Sequence, residues 1–244
     1  MLIDDLLAAA AGDAPVRHVF VGAHLTVVCS RGCGLASTFA SSQPHRRMKV
    51  RDAGWLVGKR AYDLAQYVRS DNPIEAAIGL ATINSLLAPD ERALEPINGA
   101  DYLAHLGRGR TVALVGHFPF VTRLRERVGE LWVIELDPED GDHPASAAPS
   151  LIPRADVVGI TASALVNHTI DGLLGLCRPG VPVMLIGPST PMAPLLFERG
   201  VSMLAGVEVT DEAAVLRSVS QGASLQQTAG ARHVGWRRPE RRQP

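Results

Sequence analysis

Residues 111–135 read TVALVGHFPFVTRLRERVGELWVIE, and the fold turns on how this stretch divides. Residues 111–115 are a compact run rich in Val and Leu that stops at Gly116. Residues 119–128 suit a helix, and residues 131–135 return to strand character. A strand that is apolar at successive positions cannot keep one face in water. It therefore predicts a parallel sheet covered by helices on both faces.

The same rhythm continues toward the C-terminus. Residues 157–160, 182–186 and 202–205 read as strands, and residues 167–177, 192–199 and 211–220 as helices. This alternation predicts a Rossmann-like ligand-binding domain over residues 96–225. Residues 226–244 carry Arg232, Arg237, Arg238, Arg241 and Arg242 and are expected to form a basic, flexible tail.

Toward the N-terminus the pattern differs. Residues 2–11 suggest a helix, and residues 16–22, 25–30 and 35–40 read as three short strands joined by tight turns. Residues 41–50 are polar and read as a loop. Residues 58–69 suit a helix. Asn72-Pro73 is a capping residue followed by Pro at the first helical position, and it opens an apolar stripe that runs to Leu87. Residues 1–95 therefore read as an α+β domain: a three-stranded antiparallel meander plus helices. The whole chain is of the α/β class.

Composition excludes some functions. A net charge of −1 over 244 residues gives no electrostatic footprint for nucleic acid. Asp4 and Asp5 stand where a secretory signal needs basic residues, and no apolar run approaches the ~20 residues that span a bilayer. A cytoplasmic protein with a small-molecule partner is expected, with no membrane or nucleic-acid partner. Three cysteines are an odd count and make no disulfide framework. Cys29 and Cys33, with His18 or His24 nearby, offer soft ligands, but strand alternation reads as pointing the two sulfurs apart, and small core cysteines are expected.

In an open parallel sheet, ligands bind beyond the carboxyl ends of the strands. That rule selects four segments. The first is Gly116-His117-Phe118, where glycine allows a close turn and His117 could transfer a proton or ligate a metal. It is not a dinucleotide fingerprint. The second is Glu135, placed to accept hydrogen bonds from ribose hydroxyls, with an acidic loop behind it at residues 137–144. The third is Thr161, Ser163, Asn167 and Thr169, a polar cradle after a strand. The fourth is Gly187-Pro188-Ser189-Thr190, a turn whose two hydroxyls suit an anion. His117 and Glu135 are the catalytic candidates. His117, His143 and His168 all fall near this edge and could together bind a transition metal.

The strings Gly187-Pro-Ser-Thr-Pro191, Thr161-Ala-Ser-Ala-Leu-Val-Asn-His-Thr169 and Leu204-Ala-Gly-Val207 resemble the putative heavy-metal chelation family. Gly32-Cys-Gly-Leu-Ala36 and Ile74 to Asn84 look like the enolase-N-terminal-like domain that precedes it in that family. The resemblance runs over residues 15–220. It implies a Rossmann-like domain whose cleft is closed by the N-terminal domain, and a homodimer. It also implies cleft residues at Gly116, Glu135, Thr161, Ser163, Asn167, Thr169 and the 187–191 turn, with Asn84 contributing from the other side. The enolase likeness concerns fold and implies no enolase activity. Two functions stay open. One is a binding protein or enzyme with an interdomain cleft for an anionic or nucleotide-like metabolite. The other is a protein that binds heavy metal or a metal chelate with His and carboxylate ligands. The cofactor is accordingly a transition metal, a nucleotide-like ligand, or unknown.

Overall fold

The computed structural model describes residues 1–39 and 49–239, so most of the polar loop expected at 41–50 lies outside the described residues. The chain opens with α1 (Leu2–Ala9), followed by β1 (His18–Val21), β2 (Leu25–Cys29) and β3 (Cys33–Ser37), an antiparallel sheet in the order β1-β2-β3. The meander is as read, but β3 starts earlier, because Cys33 pairs directly with Cys29 across a three-residue turn. Opposed residues of an antiparallel pair point to one face. The two sulfurs therefore meet, and a disulfide joins them. This corrects the expectation of separate core cysteines. Alternation along the chain was the wrong rule here, since pairing across the turn decides direction.

Next come α2 (Ala61–Ala65), a tight helical turn through Arg69, and α3 (Pro73–Leu86). Asn72 caps α3 as expected, its side chain accepting from the Ile74 N–H at 3.1 Å. The predicted one-sided stripe is wrong in extent. Residues Glu75 to Ile83 are buried throughout, so α3 is an interior helix with no polar face. It lies directly on β2 and β3. Gly34 permits this: a Cβ there would sit 2.1 Å from the Ala81 carbonyl oxygen.

The second half contains α4 (Gly99–Leu106), β4 (Thr111–Val115), α5 (Val121–Arg125), β5 (Glu130–Glu135), β6 (His143–Pro144), α6 (Ala148–Leu151) and β7 (Val157–Thr161). Then follow α7 (Ile170–Leu176), β8 (Val183–Ile186), α8 (Leu195–Glu198), β9 (Met203–Val209), α9 (Glu212–Ser220) and β10 (Ala231–Arg237). The sheet order is β10-β9-β8-β7-β4-β5-β6, parallel except for β10. The chain builds outward from β4 to β6, then returns to β4's other side with β7. The order thus reverses between β4 and β7, the switch point of a doubly wound sheet.

The tail expectation is corrected in part. Residues 231–237 form β10, which pairs along its whole length with β9 and buries Val234. The arginines at its two ends masked the strand: Val234 and Gly235 are buried, and the Trp236 ring meets Phe197 edge-on at 5.7 Å. Arg241 and Arg242 lie outside the described residues.

One hydrophobic cluster joins both halves, from Leu2, Leu6, Ile78 and Leu80 to Ile134, Val158, Ile160 and Leu204. The other face of the large sheet packs on α4 and α5 through Leu103, Val121 and Leu124. A third cluster seats α9 on the small sheet: Val215 and Val219 meet Leu25, Val27, Cys29 and Leu35. Among the described residues no helix is long and apolar enough to cross a membrane.

Candidate functional site

The carboxyl ends of β4, β5 and β7 enclose two adjoining cavities of about 300 Å³ and 430 Å³. They share His117, Phe118, Thr161 and Ser163, the residues that follow β4 and β7 at the switch point. The first cavity is also lined by Gly116, Glu135, Asn167 and Thr169, and the second by Gly187 and Pro188. Convergence from four strand ends is what a parallel sheet imposes, because all its carboxyl termini lie along one edge.

Gly116 makes the turn. Its φ is +103°, and a Cβ there would lie 3.0 Å from the Thr161 side chain. Glu135 locks the turn from the neighbouring strand. Its carboxylate accepts the His117 backbone N–H at 2.7 Å and the Leu136 N–H at 2.6 Å. Both oxygens thus have backbone donors, so Glu135 holds the loop as well as facing the cavity.

His117 has a different partner. Its Nδ1 lies 2.7 Å from Asp142, whose side chain is only 1 % exposed, and its Nε2 lies 3.7 Å from Glu139. The Asp142 bond, reinforced by the charges of Asp142, Glu139 and Glu135, raises the imidazole pKa against a smaller opposing effect of burial. A carboxylate on Nδ1 fixes the ring and leaves Nε2 as the working nitrogen. Asp142 escaped the sequence reading, which treated residues 137–144 as an acidic surface loop. The available signal was Gly141 followed by Asp142 and the β-forming His143, a turn that folds the loop back over β5.

Thr161 accepts the Ser163 N–H at 3.3 Å, capping the turn after β7. Asn167 Oδ1 accepts from the Thr169 N–H and hydroxyl at 3.2 Å and 2.7 Å. Phe118 and Phe120 stack at 4.9 Å beside the second cavity, which Arg123 also lines. From the N-terminal half, Phe39 reaches the first cavity and His24 and Ser37 the second. Of these six, Phe118 was singled out from sequence as a site residue and His24 only as a soft ligand beside the cysteines; the other four were not, because side chains on separate elements carry no spacing signal.

Three expected site residues point elsewhere. Ser189 is fully buried and accepts the Ser37 N–H at 2.8 Å, while Thr190 donates to the Ala205 carbonyl at 3.2 Å. The Ser189 hydroxyl ties its turn to the small sheet, the Thr190 hydroxyl ties it to β9, and neither residue lines the cleft. Asn84 donates to the carbonyls of Leu35 at 2.9 Å and Ser189 at 3.3 Å and lines a separate cavity of about 330 Å³.

The sequence pattern described as putative heavy-metal chelation matches residues 98–234, and a second pattern of the same description matches residues 3–87. The chain belongs to the putative heavy-metal chelation family. A family member of unknown function from Desulfitobacterium hafniense DCB-2 is 30 % identical, with a TM-score of 0.85 and 97 % of each chain covered. A second DUF364 protein of unknown function, from Pyrococcus horikoshii, is 19 % identical with a TM-score of 0.79, covering 97 % of this chain and 98 % of its own, and shares the fold. No curated protein matches the chain.

The family description raises the question of a metal. The three histidines expected to hold one do not come together. His168 adopts a left-handed backbone with φ of 60°, and its Nε2 lies 2.7 Å from the Val68 carbonyl oxygen, a structural tie to the N-terminal half. His143 lies in β6 at the sheet edge and lines neither cavity. Proximity to one edge in sequence order did not mean convergence, because His143 lies two strands away from β4 and the His168 side chain turns to Val68. Among the described residues, ligand atoms of three His, Cys, Asp or Glu side chains gather within 4.8 Å at one place, Cys29, Cys33 and Glu212, which is outside the cleft.

Proposed function

We propose that this family member binds a small anionic or nucleotide-like metabolite in the cleft at the switch point of its seven-stranded sheet. His117 is the group that handles a proton there. The observation that carries this reading is the 2.7 Å contact between His117 Nδ1 and the buried Asp142 carboxylate, at the junction of the two cavities. A buried carboxylate behind a histidine at a concave junction supports acid–base work on a bound molecule. The second cavity supplies the rest: a stacked aromatic pair for a planar ring, and Arg123 with a protonated His117 for negative charge.

A soft heavy metal does not fit the cleft. The second cavity is lined by His24, His117 and His233, but among the described residues no ligand atoms of three His, Cys, Asp or Glu side chains gather within 4.8 Å in the cleft, and the His117 Nδ1 is taken by Asp142. No step is therefore assigned to a metal there.

The test is calorimetry on untagged protein with AMP as the nucleotide probe and pyrophosphate as the anion probe, alongside native mass spectrometry for a co-purified molecule. The expected result is saturable binding of one probe or a retained small molecule. Ser163→Trp, which fills the junction, abolishes it, and Ser189→Ala leaves it unchanged. No retained mass and no heat from either probe would sink the reading.

A further inference from the structure

Strand register places three potential ligands in one row. His18 of β1 opposes Cys29 of β2, and Cys29 opposes Cys33 of β3. Directly opposed residues share a face, and this face is the one covered by α9. Glu212, the first residue of α9, stands over the row. Its carboxylate lies within 4.8 Å of both sulfurs, and its Oε1 lies 3.6 Å from His18 Nε2. Arg17 donates to both Glu212 oxygens at 2.6 Å and 2.8 Å, which aims the carboxylate. Two thiolates and a carboxylate against one guanidinium leave an excess of negative charge that a divalent cation cancels. Thiolate ligands select soft ions, and Cys, His and carboxylate together suit a four-coordinate site.

In the structure the two sulfurs are joined, so this set of ligands is closed. We propose that reduction of the Cys29–Cys33 disulfide by a dithiol opens a site for one thiophilic divalent cation, held by Cys29, Cys33, Glu212 and His18, and that oxidation closes it. The chemistry balances. A thiolate of the reductant attacks Cys33, the half-exposed member, which lines a cavity beside Arg31 and Glu208. Cys29 leaves as a thiolate. The reductant's second thiol then attacks its own sulfur in the mixed disulfide and releases Cys33. The dithiol is oxidised to a cyclic disulfide, and its two protons pass to the two cysteines. The cation displaces those protons on binding. The site joins the small sheet to α9, so it ties metal occupancy to the contact between the two halves. It is independent of the cleft.

The test uses the full chain with Cd²⁺ as the probe, reduced by a dithiol that is then removed without air. The expected result is one Cd²⁺ per chain by dialysis, with a thiolate-to-metal charge-transfer band. The oxidised chain, folded and serving as its own control, shows no band. Cys177→Ser keeps the band, Cys29→Ser with Cys33→Ser loses it, and Glu212→Gln weakens binding about tenfold or more with the band retained. His117→Ala leaves Cd²⁺ binding unchanged, which separates this site from the cleft. A reduced chain without the band, equal binding by the oxidised chain, or full affinity in Glu212→Gln overturns the proposal.

Discussion

At the scale of the residue, the cleft depends on which way single side chains turn. The Asp142 bond holds the His117 pKa above its ordinary 6.5. A raised folded-state pKa means that the pair stabilises the chain fully below the unfolded value and less as pH rises through the folded one. NMR titration is expected to place the His117 midpoint above 6.5 and Asp142→Asn to bring it down. A native midpoint below the ordinary value would contradict the dyad. Ser189 carries the opposite lesson. Its turn was legible as a strand-end loop, yet its hydroxyl faces Ser37 because β3 packs there. Ser189→Ala should cost about 1 kcal/mol in urea denaturation, since it leaves a part-buried N–H without its protein acceptor.

At the scale of the element, turns and edges decide more than propensity does. Gly116 joins β4 to the cleft loop with a φ of +103°, closed in by Thr161. Gly116→Ala is expected to cost about 1–3 kcal/mol and to displace the His117 loop, read as lost stability together with a lowered His117 midpoint. β10 is the clearest case of an element hidden by composition. Its exposed arginines, Arg232 and Arg237, read as a solvated tail, while Val234 is buried and the Trp236 ring packs on Phe197. Ending the chain at Gly230 removes β9's partner and bares its edge. Denaturation should show a loss of about 3 kcal/mol or more, and light scattering should show association. An unchanged midpoint would mean that β10 contributes nothing to the fold.

At the scale of the whole molecule, the core is shared between the two halves. α1 meets α8, and Asp171 of α7 accepts the Leu2 N–H at 3.2 Å. Calorimetry is therefore expected to show a single transition. Leu6→Ala, at a fully buried position, should lower that transition as a unit at a cost of about 2–5 kcal/mol. A split into two transitions would show that the halves unfold independently. The apolar strand runs and the capped start of α3 were written in the order of residues, because local periodicity and the twist of parallel strands leave few other arrangements. Sequence alone thus determined the α/β class, the meander and the edge where a cleft must lie. Folding decided what sequence order cannot encode: Asp142 behind His117, Ser189 turned inward, three histidines kept apart, and two cysteines brought face to face under Glu212. Each of these is a meeting of side chains from separate elements, and such meetings are set by register and packing, not by spacing along the chain.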